Sequence, residues 1–207
     1  MVRGLAPVGL AVAASVAVTA GCTSGGPESM QRPTASVAPP AATSEPPPPS
    51  RRPERAPSVR LALTGDVLLH DGLWDVARAD ARRAGQSPGS LDFGPILQPT
   101  RPVIRAADIA ICHLETPVAE SAGPFQSYPA FSVPPQILSA IAGTGFDACT
   151  TASNHSVDQG FEGVTRTLDA MDRNGIRHTG TARSAREQRR LLRMRAGGLE
   201  LALLSYT

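Results

Sequence analysis

Three short stretches place chemistry-bearing side chains just past a run of apolar ones. Asp66 follows Val59–Leu63 and a Thr64-Gly65 step; Glu115 follows Ile109–Cys112 and His113-Leu114; Asn154 and His155 follow Ala148–Ala152. An ionised carboxylate is an oxygen acceptor, an amide offers a neutral oxygen, and imidazole binds metal or carries a proton near neutral pH. Together they make a mixed oxygen and nitrogen set, suited to Mn, Fe, Zn or Mg rather than to a thiolate-type centre. Two such ions about 3.5–4 Å apart hold a bridging hydroxide and polarise a phosphoryl oxygen. The competing interpretation is that Asp66 and Asn154 form turns, Glu115 is a surface carboxylate and His155 ends a helix. Three coincident strand ends favour a site over that alternative.

The elements that must position these residues are set by periodicity. Val59–Leu63, Ile109–Cys112 and Ala148–Ala152 read as strands, with Gly65 allowing a tight turn that aims Asp66 into a crevice. Leu73–Ala84 reads as a helix stopped by Gly85, and Ile96–Ala106 as a short helix among prolines. Ser121–Phe131 is loop; Pro134-Pro135 opens a helix that Gly143 ends. Asp158 is placed to cap a helix over Phe161–Asn174, whose expected buried stripe is Phe161, Val164, Leu168 and Met171. Ile176–Thr179 is a short strand, and Leu191–Arg195 with Leu199–Ser205 a hairpin turning at Gly197-Gly198. Strand and helix alternate, which argues for an α/β layered fold with a mainly parallel sheet. In such sheets ligands bind outside the carboxyl ends of the strands, where Asp66, Glu115, Asn154 and His155 fall.

The chain of 207 residues suits one domain with appendages. Residues 1–22 read as a targeting segment: Arg3, an apolar and small-residue run over Leu5–Ala20, then Gly21-Cys22. Val18-Thr19-Ala20-Gly21-Cys22 resembles a bacterial lipoprotein signal, which implies a lipidated Cys22 and an extracytoplasmic protein held at the membrane. An ordinary cleaved signal, and so a secreted protein, is the alternative. Residues 23–57 hold ten prolines and little to bury, so they read as an extended, partly stiff tether. From Ser58 onward 15 arginines face 15 acidic residues, a balance that speaks against a nucleic-acid partner. The six arginines of Arg183–Arg195 read as a solvated face, with contact to an anionic polymer or phosphate as the second option. Cys112 and Cys149 read as buried thiols acting as small apolar residues, a disulfide between them depending on distance. Trp74 and Phe161 are expected in the core.

Thr64-Gly65-Asp66-Val67-Leu68, Ala107–Pro117 with its His113-Leu114-Glu115, and Gly145-Phe146-Asp147 followed by Ala152–Gly160 resemble the CapA family of capsule and poly-γ-glutamate synthesis proteins. The resemblance runs from about Val59 to Thr207. It implies a calcineurin-like metallophosphoesterase fold, an αββα sandwich with two divalent ions at the strand tips. By position it makes Asp66 the first-motif ligand, Glu115 a metal-bridging carboxylate, Asn154 a further ligand and His155 the residue beside the leaving group. Leu68 stands where the phosphoesterases carry histidine, and His70 is the candidate to compensate. His113 replaces the family's usual asparagine, and is expected either to reach the site or to bond to backbone. The family's later histidine motifs do not follow, so residues 58–207 read as the N-terminal part of such a domain.

Three functions stay open at this level. One is a membrane-anchored protein acting in synthesis or export of a capsule-like polyanion, alongside other capsule-synthesis proteins. Another is a metal-dependent phosphoester or polymer hydrolase unrelated to capsule. The last is a non-catalytic scaffold lipoprotein with a vestigial site.

Overall fold

A computed structural model describes residues 56–207; Cys22, the targeting segment and the tether through residue 55 lie outside them. Four parallel strands form the main sheet in the order β1 (Leu61–Val67), β2 (Ile109–Leu114), β3 (Ala148–Thr150) and β4 (Arg177–Thr179). Each crossover leads to the next strand in the same direction. Because parallel crossovers share one hand, a strand order that never reverses puts every crossover helix on one face.

Those crossovers carry α1 (Asp71–Arg83), the short pieces α2 (Gly94–Leu97) and α3 (Arg101–Arg105), α4 (Gln136–Thr144) and α5 (Gly160–Arg173). The 2.0-residue strand period sorts the core. Cys112, Leu114 and Cys149 face a helix-side core with Trp74, Leu138, Ile141, Leu168 and Met171. Ile109, Ile111 and Ala148 face the other way, onto Met194 and the half-buried Leu192, Leu201 and Leu203. These last residues belong to the antiparallel hairpin of β5 (Leu192–Ala196) and β6 (Leu199–Leu203); α6 (Ala185–Gln188) is one turn before it. The layers are therefore helices, parallel sheet and hairpin. This is the mixed α/β arrangement expected.

Several expectations change in detail. The first strand does not end at Thr64. It continues through Val67, and Leu63↔Ile111 is followed by Asp66↔His113, so Thr64-Gly65 holds one extra residue relative to β2. Such a bulge re-aims the residues beyond it. Here it brings Asp66 onto the face of Ile111 and His113. Gly143 lies inside α4; the stop is Gly145 at φ +115°, where a Cβ would come within 3.0 Å of Arg105 Cγ. Phe161 is 64% exposed, because α5 starts at Gly160 and its buried stripe begins with Gly163 and Val164. Trp74 is buried as expected. Cys112 and Cys149 are register partners with Cα atoms 4.4 Å apart and form a disulfide, rather than remaining separate thiols.

Candidate functional site

The carboxyl ends of β1, β2 and β3 carry Asp66, His113 and Thr150 side by side, as register partners. His113 Nδ1 lies 2.7 Å from Thr150 Oγ1, and Thr150 Oγ1 donates to the Cys112 carbonyl at 3.4 Å. One hydroxyl has one proton, so Thr150 Oγ1 accepts from His113 Nδ1–H. His113 Nε2 faces Asp66 Oδ1 at 3.8 Å. The expected backbone partner for His113 is replaced by this side-chain pair. Asp66 remains 61% exposed while His113 is 21% exposed, so the pair opens to solvent on the Asp66 side.

Beyond β3 the chain makes a compact turn through Ser153–Gln159. Ser153 Oγ donates to the Glu115 carbonyl at 2.7 Å and accepts from His155 N–H at 2.9 Å. Ser156 Oγ accepts from Ser153 N–H at 2.7 Å, and its one proton is shared between the Thr151 and Ser153 carbonyls at 2.7 and 2.8 Å. Ser153 thus ties the Asn-His step to the end of β2, and Ser156 ties it to the residue after β3. Asn154 is exposed at the apex. His155 Nδ1 lies 2.8 Å from Asp158 Oδ2, and the same oxygen accepts from Phe131 N–H at 2.7 Å. Asp158 is therefore not the helix cap; Gln159 takes that position, with no side-chain cap bond. The Phe131 ring stands edge-on to His155 at 4.7 Å and to His70 at 5.3 Å. His70 Nδ1 also meets Ser127 Oγ at 3.3 Å, so its contacts lie along the Phe131 loop.

Glu115 is half-buried, and its Oε2 is enclosed with no hydrogen-bond partner among the described residues. A void of about 10 Å³ adjoins it, between Thr151, Ser156, Thr167 and Thr181. That is close to the least space that holds one water. An ionised oxygen there is costly unless a proton, a water or a cation meets it.

These donors fit two cations poorly. Among the described residues no three of His, Cys, Asp and Glu gather at spacings that would hold an ion. Two donors about 2.1 Å from an ion stand about 3.4 Å apart in a tetrahedral site, so Asp66 and His113, at 3.8 Å, would have to close slightly to share one. A metal-bound imidazole normally donates its other N–H to an anchoring group, as His113 does to Thr150.

Three of the six arginines of Arg183–Arg195, namely Arg183, Arg193 and Arg195, are paired with acidic side chains among the described residues. Arg183 reaches Glu187 at 2.5 Å, Asp169 at 2.5 Å and Asp172 at 2.7 Å. Its hydrogen bonds, that to Glu187 above all, hold the guanidinium above its ordinary range, against the opposing effect of burial. The same contact pulls the Glu187 carboxyl down to about 2. Arg193 and Arg195 both bond to Glu200, holding its carboxyl below the usual range. A groove of about 580 Å³ runs beside this stretch, lined by Arg177, Arg190 and Arg193 among others, but by none of Asp66, Glu115, Asn154 or His155.

Sequence reasoning missed Thr150, Phe131 and the true partner of Asp158. Only the Asp158 pairing left a signal, its spacing of three residues from His155.

Comparison with known proteins bears on this arrangement. The family model described as "Bacterial capsule synthesis protein PGA_cap" matches residues 60–207. "Uncharacterized protein y4uA" of Sinorhizobium fredii (strain NBRC 101917 / NGR234) is 32% identical over 144 residues. That match covers 63% of this chain and 28% of the relative, so it spans little more than a quarter of the relative's length.

Proposed function

The chain belongs to the bacterial capsule synthesis protein family, and from that premise we propose that it serves the making or export of a capsule-like polyanion such as poly-γ-glutamate. The work is done outside the cytoplasm, on a domain tethered through residues 23–57 to a lipidated Cys22. The domain is of the αββα metallophosphoesterase type, and the site is the strand-tip cluster of Asp66, His113, Glu115, Asn154 and His155. The observation that carries this reading is the register of Asp66, His113 and Thr150, joined through Ser153 to the turn bearing His155.

In this reading one divalent ion is held by Asp66 and His113, with the exposed Asn154 amide as a further donor. Such an ion, when bound, polarises a phosphoryl oxygen. His155 hands a proton to, or hydrogen-bonds, the departing oxygen. Anionic polymer or phosphoester is the substrate class. A second reading, a non-catalytic scaffold, draws support from Leu68 at the first motif and from the lack of a three-residue His, Cys, Asp and Glu group among the described residues.

Metal analysis of the purified chain, with turnover of p-nitrophenyl phosphodiesters, separates the two. The enzyme reading expects bound Mn, Fe, Zn or Mg, its loss in Asp66→Asn, and retained metal with lost turnover in His155→Ala. Neither metal nor turnover in the whole chain would leave the scaffold.

A further inference from the structure

We propose that Asp158 is the positioning residue for His155: its carboxylate fixes which ring nitrogen carries the proton and which is presented outward. The proposal rests on the reading of His155 as the residue that handles the leaving group's proton. An ionised carboxylate can only accept, so the 2.8 Å contact with Asp158 Oδ2 places a hydrogen on His155 Nδ1. In the neutral ring Nε2 carries the lone pair; in the imidazolium, with Nδ1–H held by Asp158, Nε2–H is the proton that the leaving oxygen takes. Among the described residues Nε2 has no hydrogen-bond partner, and the side chain keeps 17% of its surface in solvent.

The pair is held from three sides. Asp158 Oδ2 also takes the Phe131 N–H at 2.7 Å, so the carboxylate cannot swing away without stranding an amide. Phe131 is 1% exposed, and its ring packs at 82° against the imidazole with centroids 4.7 Å apart. His155 N–H is bonded to Ser153 Oγ, itself anchored on the Glu115 carbonyl. One residue of the Phe131 loop thus holds the acid through its amide and the imidazole through its ring. A carboxylate used only to clamp that loop would need the Phe131 contact alone.

The test is the tautomer of His155 in the full chain, read by long-range proton–nitrogen NMR of 15N-histidine-labelled protein in mildly alkaline buffer. The chain has 4 histidines, and His155→Gln identifies the signal by its disappearance. The expected spectrum shows His155 protonated at Nδ1. In Asp158→Ala the signal shifts to a mixture or to the Nε2–H form, and phosphodiester kcat falls about 10- to 100-fold with KM little changed. That loss reaches at most the lower end of the about 100- to 10,000-fold that general acid–base catalysis supplies, because the imidazole itself is kept. Asp158→Glu restores part of both. A wild-type ring protonated at Nε2 overturns the proposal even if Asp158→Ala fails to fold, and so does a folded Asp158→Ala with the wild-type tautomer. A correct tautomer in a chain without turnover sustains the pairing and removes only the enzymatic reading.

Discussion

Acid should reach this domain through Glu187. Its carboxylate accepts from Arg183 Nη2 at 2.5 Å and from the Arg183 backbone N–H at 2.6 Å. These bonds pull its pKa from 4.5 to about 2. A folded-state pKa below the unfolded one means stabilisation that is complete above pH 4.5 and is lost as pH falls toward 2. At about 1.4 kcal/mol per unit the shift corresponds to about 3 kcal/mol. Glu187 and Arg183 are 21% and 27% exposed, so solvent screening reduces this to about 1–2 kcal/mol. The consequence reaches the site, because the same segment carries Thr181, whose N–H bonds Thr151 Oγ1 two residues before Ser153. Urea unfolding across that pH range, for wild type and Glu187→Gln, is the assay. The variant should be the less stable by about 1–2 kcal/mol above pH 4.5, and the two should converge toward pH 2. Parallel curves, or a variant as stable as wild type at the upper end, would refute the reasoning.

Two further outcomes test the strand tips and the core behind them. Thr150→Val removes the group that accepts His113 Nδ1–H, so Mn affinity measured by calorimetry should weaken about 10- to 100-fold while the fold survives; unchanged affinity would remove His113 from the ligand set. Cys149→Ser opens a 37-residue separation closed by the Cys112–Cys149 bond, and should lower unfolding free energy by about 2–4 kcal/mol, whereas an equal urea midpoint with and without reductant in wild type would show that no such bond forms.

The strands, the long helices and the hairpin were legible from the chain, because each is set by local spacing of apolar residues and by glycines at their ends. So were Asp66, Glu115, Asn154 and His155 as strand-end residues. Where local spacing misleads, a distant partner has intervened. Phe161 fits the apolar stripe of α5 yet is 64% exposed, because burial along this helix begins only at Gly163 and Val164. Asp158 looks like a cap, but the backbone N–H of Phe131 and the ring of His155 compete for it and win.

Composition and motif spacing alone determined the family's α/β framework and the residue types available for chemistry at its strand ends. Tertiary structure decided which of them meet. The one-residue bulge at Thr64-Gly65 turns Asp66 toward His113, and the β2–β3 register sets Thr150 beside that imidazole and Cys112 against Cys149. Register is a property of two strands paired across tens of intervening residues, so no local pattern in either strand encodes it.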